Sequence, residues 1–159
     1  MRRRNREGFT LIELLIAVAI IGILAAIGVA NYLGALTRAR QKRTMSDMRT
    51  IATAWEARAA ESDSYVAAGF SYPASVMPFD DLRDSLEPGY IPKLPRMDAW
   101  GNPFEFAAEG KVLYAIRSPA RDGIFEGTAY SADPTTSPDC DIVYANGSFV
   151  RFPASVQDK

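Results

Sequence analysis

From residue 14 to residue 30 the chain carries no charged or strongly polar side chain. A run this uniform cannot sort itself into a buried and a solvated face, which is the mark of a helix buried on all sides or set in a bilayer. As a helix, residues 9–32 rise about 36 Å, enough to cross a hydrocarbon core of about 30 Å. The chain has 159 residues, room for one small domain plus one long element. Ahead of the run stands Met1-Arg-Arg-Arg-Asn-Arg-Glu-Gly8, with four arginines and one glutamate. A basic flank of this kind stays in the cytoplasm while the apolar run enters the membrane, so the remainder emerges toward the periplasm or the cell exterior. A second basic cluster, Arg38, Arg40, Lys42 and Arg43, follows the run, so the orientation rests on the leading segment.

Glu13 is the anomaly. An acid inside a membrane helix costs about 2.5–3.5 kcal/mol on insertion scales and ordinarily has a partner. If the peptide bond after Gly8 is cut, the new α-amine of Phe9 lies one helical turn from Glu13, on the same subunit or on a neighbour. In low dielectric the two attract strongly, whereas an unpaired carboxylate is penalised. An ordinary secretory signal peptide or a simple membrane anchor is the plainer reading, and Gly28-Val29-Ala30 would pass as a small-residue cleavage site. Signal-peptide cores, however, run 7–15 apolar residues and lack an acid at the start.

Composition narrows the chemistry. There is no histidine, which removes the commonest general base and most zinc sites. The single cysteine, Cys140, has no partner for an intramolecular disulfide. A net charge of −1 argues against nucleic acid as the main ligand, because phosphate binding calls for a basic surface.

Helical periodicity continues beyond the apolar run. Met45, Met48, Ala52, Trp55 and Ala59 recur at spacings of three and four, with Arg43, Asp47, Arg49, Glu56 and Arg58 on the other faces. One helix is expected from about Phe9 to Ser62. Residues 69–95 are rich in proline, glycine and aspartate and read as loop, apart from a short helix over residues 79–86 stopped by Pro88-Gly89. Two hairpins follow. Residues 104–108 and 111–117 flank Glu109-Gly110, and residues 141–145 and 148–152 flank Asn146-Gly147, a strong turn signal. Four short antiparallel strands on an amphipathic helix make an α+β head.

The string Gly8-Phe9-Thr10-Leu11-Ile12-Glu13-Leu14-Leu15-Ile16 resembles the prepilin peptidase site of type IV pilins and type II secretion pseudopilins. The resemblance implies a pilin-like fold: a long N-terminal helix, transmembrane in its first half, packed on a small antiparallel sheet. It divides the chain into a leader (1–8), a membrane and assembly helix (9–32) and a head (33–159). It implies cleavage between Gly8 and Phe9, N-methylation of Phe9, and Glu13 as the residue required for assembly. Loss of the leader takes away four of 18 basic and one of 19 acidic side chains, leaving 14 and 18, net −4. Many members have proline where this chain has Ala30.

Asp98-Ala99-Trp100-Gly101-Asn102-Pro103-Phe104 is similar to the Asp-Pro-Trp-Gly-Asn-Pro-Tyr signature of the major pseudopilins of type II secretion. Tyr114 to Ser118, Arg121-Asp122-Gly123 and Asp139-Cys140-Asp141-Ile142 resemble the strand, loop and closing strand that follow it. In those proteins the loop binds calcium, which implies Asp122 and Asp139, then Asp141, as ligands here. The function implied is a single-pass subunit of the bacterial inner membrane, its head in the periplasm. It would form a helical homopolymer with minor pseudopilins on an inner-membrane assembly platform and drive protein export. The alternative within the superfamily is a structural or minor pilin of a type IV pilus on the cell surface. Type IVa pilins usually close the head with a disulfide, which one cysteine forbids. A third reading is an anchored periplasmic hydrolase using Glu105, Asp122, Asp139 or Asp141, though nothing supplies a nucleophile site.

Overall fold

The computed structural model describes residues 8–61, 76–109 and 113–157. The leader up to Glu7, the expected helix end at Ser62, the first part of the 69–95 loop and Gly110 of the first hairpin turn lie outside the described residues. The chain divides into two compact units, Met1–Leu36 and Thr37–Lys159.

In the first unit the helix α1 (Leu11–Glu61) begins. Leu11, Leu15, Ile20, Ile23, Leu24, Ile27 and Val29 are all more than half exposed, on every side of the helix. The segment has a mean hydropathy of 2.8 and is long and apolar enough to cross a membrane. It runs helical through Gly22, Gly28 and Ala30 without a break.

The second unit is built on the remainder of α1. The expected stripe is buried: Met45, Met48, Ala52, Trp55 and Ala59 are joined by Gln41, Thr44, Ile51 and Ala54. Glu56, off the stripe as expected, is half-buried, and the phenol of Tyr114 donates a hydrogen bond to its Oε1. Helix α2 (Phe79–Leu86) has the expected bounds and buries Leu82 and Leu86.

The head sheet has six strands where four were expected. They are β1 (Val76–Met77), β2 (Glu105–Glu109), β3 (Leu113–Ser118), β4 (Pro134–Thr135), β5 (Ile142–Ala145) and β6 (Ser148–Pro153). Their order is β1-β2-β3-β5-β6-β4, antiparallel throughout except that β4 runs parallel to β6. The two additional strands have two residues each, too short to show any alternation of polar and apolar side chains. A short helix α3 (Ala154–Gln157) ends the chain's described part.

Alternation along the central strands sends large residues to one face and small ones to the other. Phe106, Tyr114, Ile116, Ile142 and Tyr144 join the cluster of α1 and α2. Ala107, Ala115, Val143, Ala145 and Val150 form a second cluster on the opposite face, with Tyr130 of the 118–141 loop packed against it. Tyr130 thereby anchors a loop whose residues 121–124 and 126–129 are exposed. At the second hairpin Asn146 and Gly147 take φ of 46° and 90°, the positive pair a type I′ turn needs.

Candidate functional site

The start of α1 is fixed by two side chains three residues apart. The backbone N–H and the hydroxyl of Thr10 both donate to Glu13 Oε2, at 2.9 and 2.7 Å, and the Glu13 N–H donates to Thr10 Oγ1 at 3.3 Å. This is a reciprocal capping box, with Thr10 as N-cap and Glu13 at the third helical position. It satisfies donors that a helix end otherwise leaves open, which in hydrocarbon would cost several kcal/mol each. Glu13 is the sole charged residue of residues 11–36. Gly8 and Phe9 lie just ahead of the cap, and Phe9 is 84% exposed. Gly8, Phe9 and Glu13 thus sit together at one helix end, with Thr10 as a partner the sequence reading passed over. The spacing Thr-x-x-Glu was the signal that could have found it.

In the head, the Trp-Gly-Asn-Pro block is a turn organised around buried Asp98. Its Oδ1 accepts the N–H groups of Trp100 and Asn102, both at 2.9 Å, and its Oδ2 accepts the Ser118 hydroxyl at 2.7 Å. Gly101 supplies the positive φ of 92° that closes the turn. The Asn102 amide donates to the Ala120 carbonyl at 2.6 Å, and the Ala99 N–H donates to Thr44 Oγ1 at 3.1 Å. The block therefore ties α1 to the start of the 118–141 loop. Its chemistry is that of a brace.

Within the loop, the three aspartates singled out as calcium ligands are held apart by protein donors. Asp122 Oδ1 accepts the Ile124 N–H at 3.0 Å, a local turn on the surface. Asp139 is gripped by Arg121 through two hydrogen bonds, Nε to Oδ1 at 2.6 Å and Nη2 to Oδ2 at 2.7 Å. That guanidinium holds the Asp139 carboxyl below the ordinary carboxylate range. Asp141 is buried, and burial pushes its carboxyl upward. Its Oδ2 accepts the Tyr130 hydroxyl at 2.6 Å and the Glu126 N–H at 3.0 Å, while Oδ1 is buried without a partner. Tyr130 is itself pushed up to about 12, first by burial and then by its bond to Asp141.

Calcium takes six to eight oxygens from converging carboxylates and carbonyls. Among the described residues no three acidic, histidine or cysteine side chains gather into such a set. Asp141 Oδ1 is one orphaned oxygen, and a guanidinium occupies both oxygens of Asp139. The side chains present do not fit a calcium cage. Glu105, the fourth acid of the hydrolase reading, faces Arg117 across β2 and β3 and is bonded to it at 2.7 Å.

Comparison with known proteins extends these observations over most of the chain. Residues 3–29 match the family described as the prokaryotic N-terminal methylation motif. The chain is 33% identical over 144 residues to the type II secretion system core protein G of Pseudomonas aeruginosa, covering 84% of this chain and 96% of that protein. It is 32% identical over 135 residues to the core protein G of Vibrio cholerae, covering 83% and 92%. It is also 47% identical over 62 residues to the type IV major pilin protein PilA of Myxococcus xanthus, covering 39% of this chain and 28% of that one. No solved structure matches the chain significantly.

Proposed function

The chain belongs to the family of type II secretion system core protein G, and on that premise we propose that it is a structural subunit of a type II secretion pseudopilus. It polymerises through α1 and acts mechanically in protein export, with no chemistry of its own on a small substrate. The observation that carries this reading is one acid, Glu13, at the head of an otherwise uncharged helix whose apolar side chains are exposed.

Prepilin peptidase cuts between Gly8 and Phe9, and Phe9 is then N-methylated. The subunit is inserted once in the bacterial inner membrane with its head in the periplasm, where minor pseudopilins and the assembly platform act on it. The capping box presents Glu13 at the membrane end of α1 with one carboxylate oxygen engaged by Thr10. The other oxygen is available to a cation. In lipid that cation is the α-amine of Phe9, from the same subunit or from a neighbour in the filament. A docked neighbour that supplies it lowers the cost of the acid, so growth from the membrane is downhill.

The type IV pilus reading shares this N-terminal chemistry. The head favours secretion, since the core protein G similarity runs over 84% of the chain and the pilin similarity over 39%. Deleting the gene tests the choice. Secreted proteins should fail to reach the medium while surface pili persist; lost pili with intact secretion would reverse the reading.

A further inference from the structure

The 118–141 loop packs Tyr130 on the small-residue face of the sheet and leaves most of its other residues exposed, so it must be held in place, yet its acids do not converge on a cation site. We infer that arginine side chains do in this chain what a divalent ion would otherwise do, and that the head closes without calcium.

Three guanidiniums are spaced around the loop, each facing one acid. Arg121, at the loop's beginning, grips Asp139, at its end, through the bidentate pair already described, and its N–H donates to the Pro138 carbonyl at 3.3 Å. Residues 121–139 are thereby closed into a ring by one side-chain pair, with one backbone bond beside it. Arg117, buried on β3, bonds Glu105 through Nε. Its Nη1 reaches into the loop, donating to the Gly127 carbonyl and, at 2.9 Å, to the Tyr130 oxygen. Its guanidinium also lies 4.2 Å from the centre of the Phe125 ring. Arg151 of β6 pairs with Glu126 at 2.5 Å. A relay from Arg117 through Tyr130 to Asp141 then carries positive potential to the one buried acid of the loop.

The planar fork of arginine suits this task, because it fixes direction as well as charge. A calcium ion placed among the same acids would meet the Arg121 and Arg117 guanidiniums as like charges. Cation and arginines are alternative solutions to one problem. This inference concerns the head alone and holds whichever filament the subunit enters.

The test uses the full chain in detergent. Thermal unfolding is compared in 5 mM CaCl2 and in excess EGTA, alongside hydrogen exchange of the loop amides. An ion bound at about a hundredfold excess over its Kd would raise Tm by about 5 °C or more. The expected result is the same Tm and the same loop protection in both buffers. Arg121→Gln, which removes the charge at an exposed position, should speed exchange at the Arg121 and Glu126 amides about tenfold, with no recovery on adding CaCl2. Arg121→Lys should be intermediate, keeping charge without the fork. A calcium-dependent rise in Tm or protection of the unaltered protein would overturn the inference, as would unchanged loop exchange in Arg121→Gln.

Discussion

Thr10 and Glu13 satisfy one another across three residues, with both Thr10 donors on one carboxylate oxygen, and the proposed function assigns the other oxygen to a neighbouring cation. The acid was conspicuous in the sequence because nothing else charged surrounds it. The threonine was not, although the pair spells a capping box, because an acid in lipid invites a search for a charge and not for a hydroxyl. Arg117 and Arg121 were hidden for another reason. Their acids, Glu105 and Asp139, lie 12 and 18 residues away along the chain, and only strand pairing and loop closure bring them together. Gly147 was legible at once as a turn residue. Its φ of 90° is open to glycine and strained for any other residue, while the space beside it is free, the nearest side-chain atom being Glu56 Oε1 at 3.8 Å. Gly147→Ala should therefore cost about 1–3 kcal/mol through backbone conformation alone. Urea unfolding of the full chain would check it; an unchanged midpoint would mean the turn relaxes freely.

Periodicity gave away the elements that are long enough to have a period. The stripe of α1, the bounds of α2 and the Asn146-Gly147 hairpin could all be read from spacing, whereas β1 and β4, with two residues each, could not. The parallel pairing of β4 with β6 depends on where the loop returns, which no local pattern encodes. Helix α1 serves two solvents. Before residue 37 its apolar side chains are exposed, and beyond it Met48 and Ile51 are almost wholly buried in the head core. Met48→Ala should destabilise the head by about 2–5 kcal/mol by leaving a cavity. Thr53→Ala, on the exposed side of the same turns, should stay within about 0.5 kcal/mol. Denaturant midpoints of the two variants separate core packing from helix propensity. Equal effects would show that the stripe is not what holds the head to α1.

For the whole molecule, the proposed function orders three steps, insertion, cleavage and docking, and each has its own test. Replacing Gly8 with tryptophan should leave the precursor in the membrane with its leader attached, seen as an unchanged intact mass. The central claim is that Glu13 is tolerated in the bilayer because another group meets it when subunits assemble. Glu13→Ala, expressed in place of the natural protein, tests this most directly. Membrane fractions should contain the variant, cleaved after Gly8 by intact mass, while electron microscopy of sheared filaments should find few or none. Filaments in normal number and length from the processed Glu13→Ala protein would contradict the account.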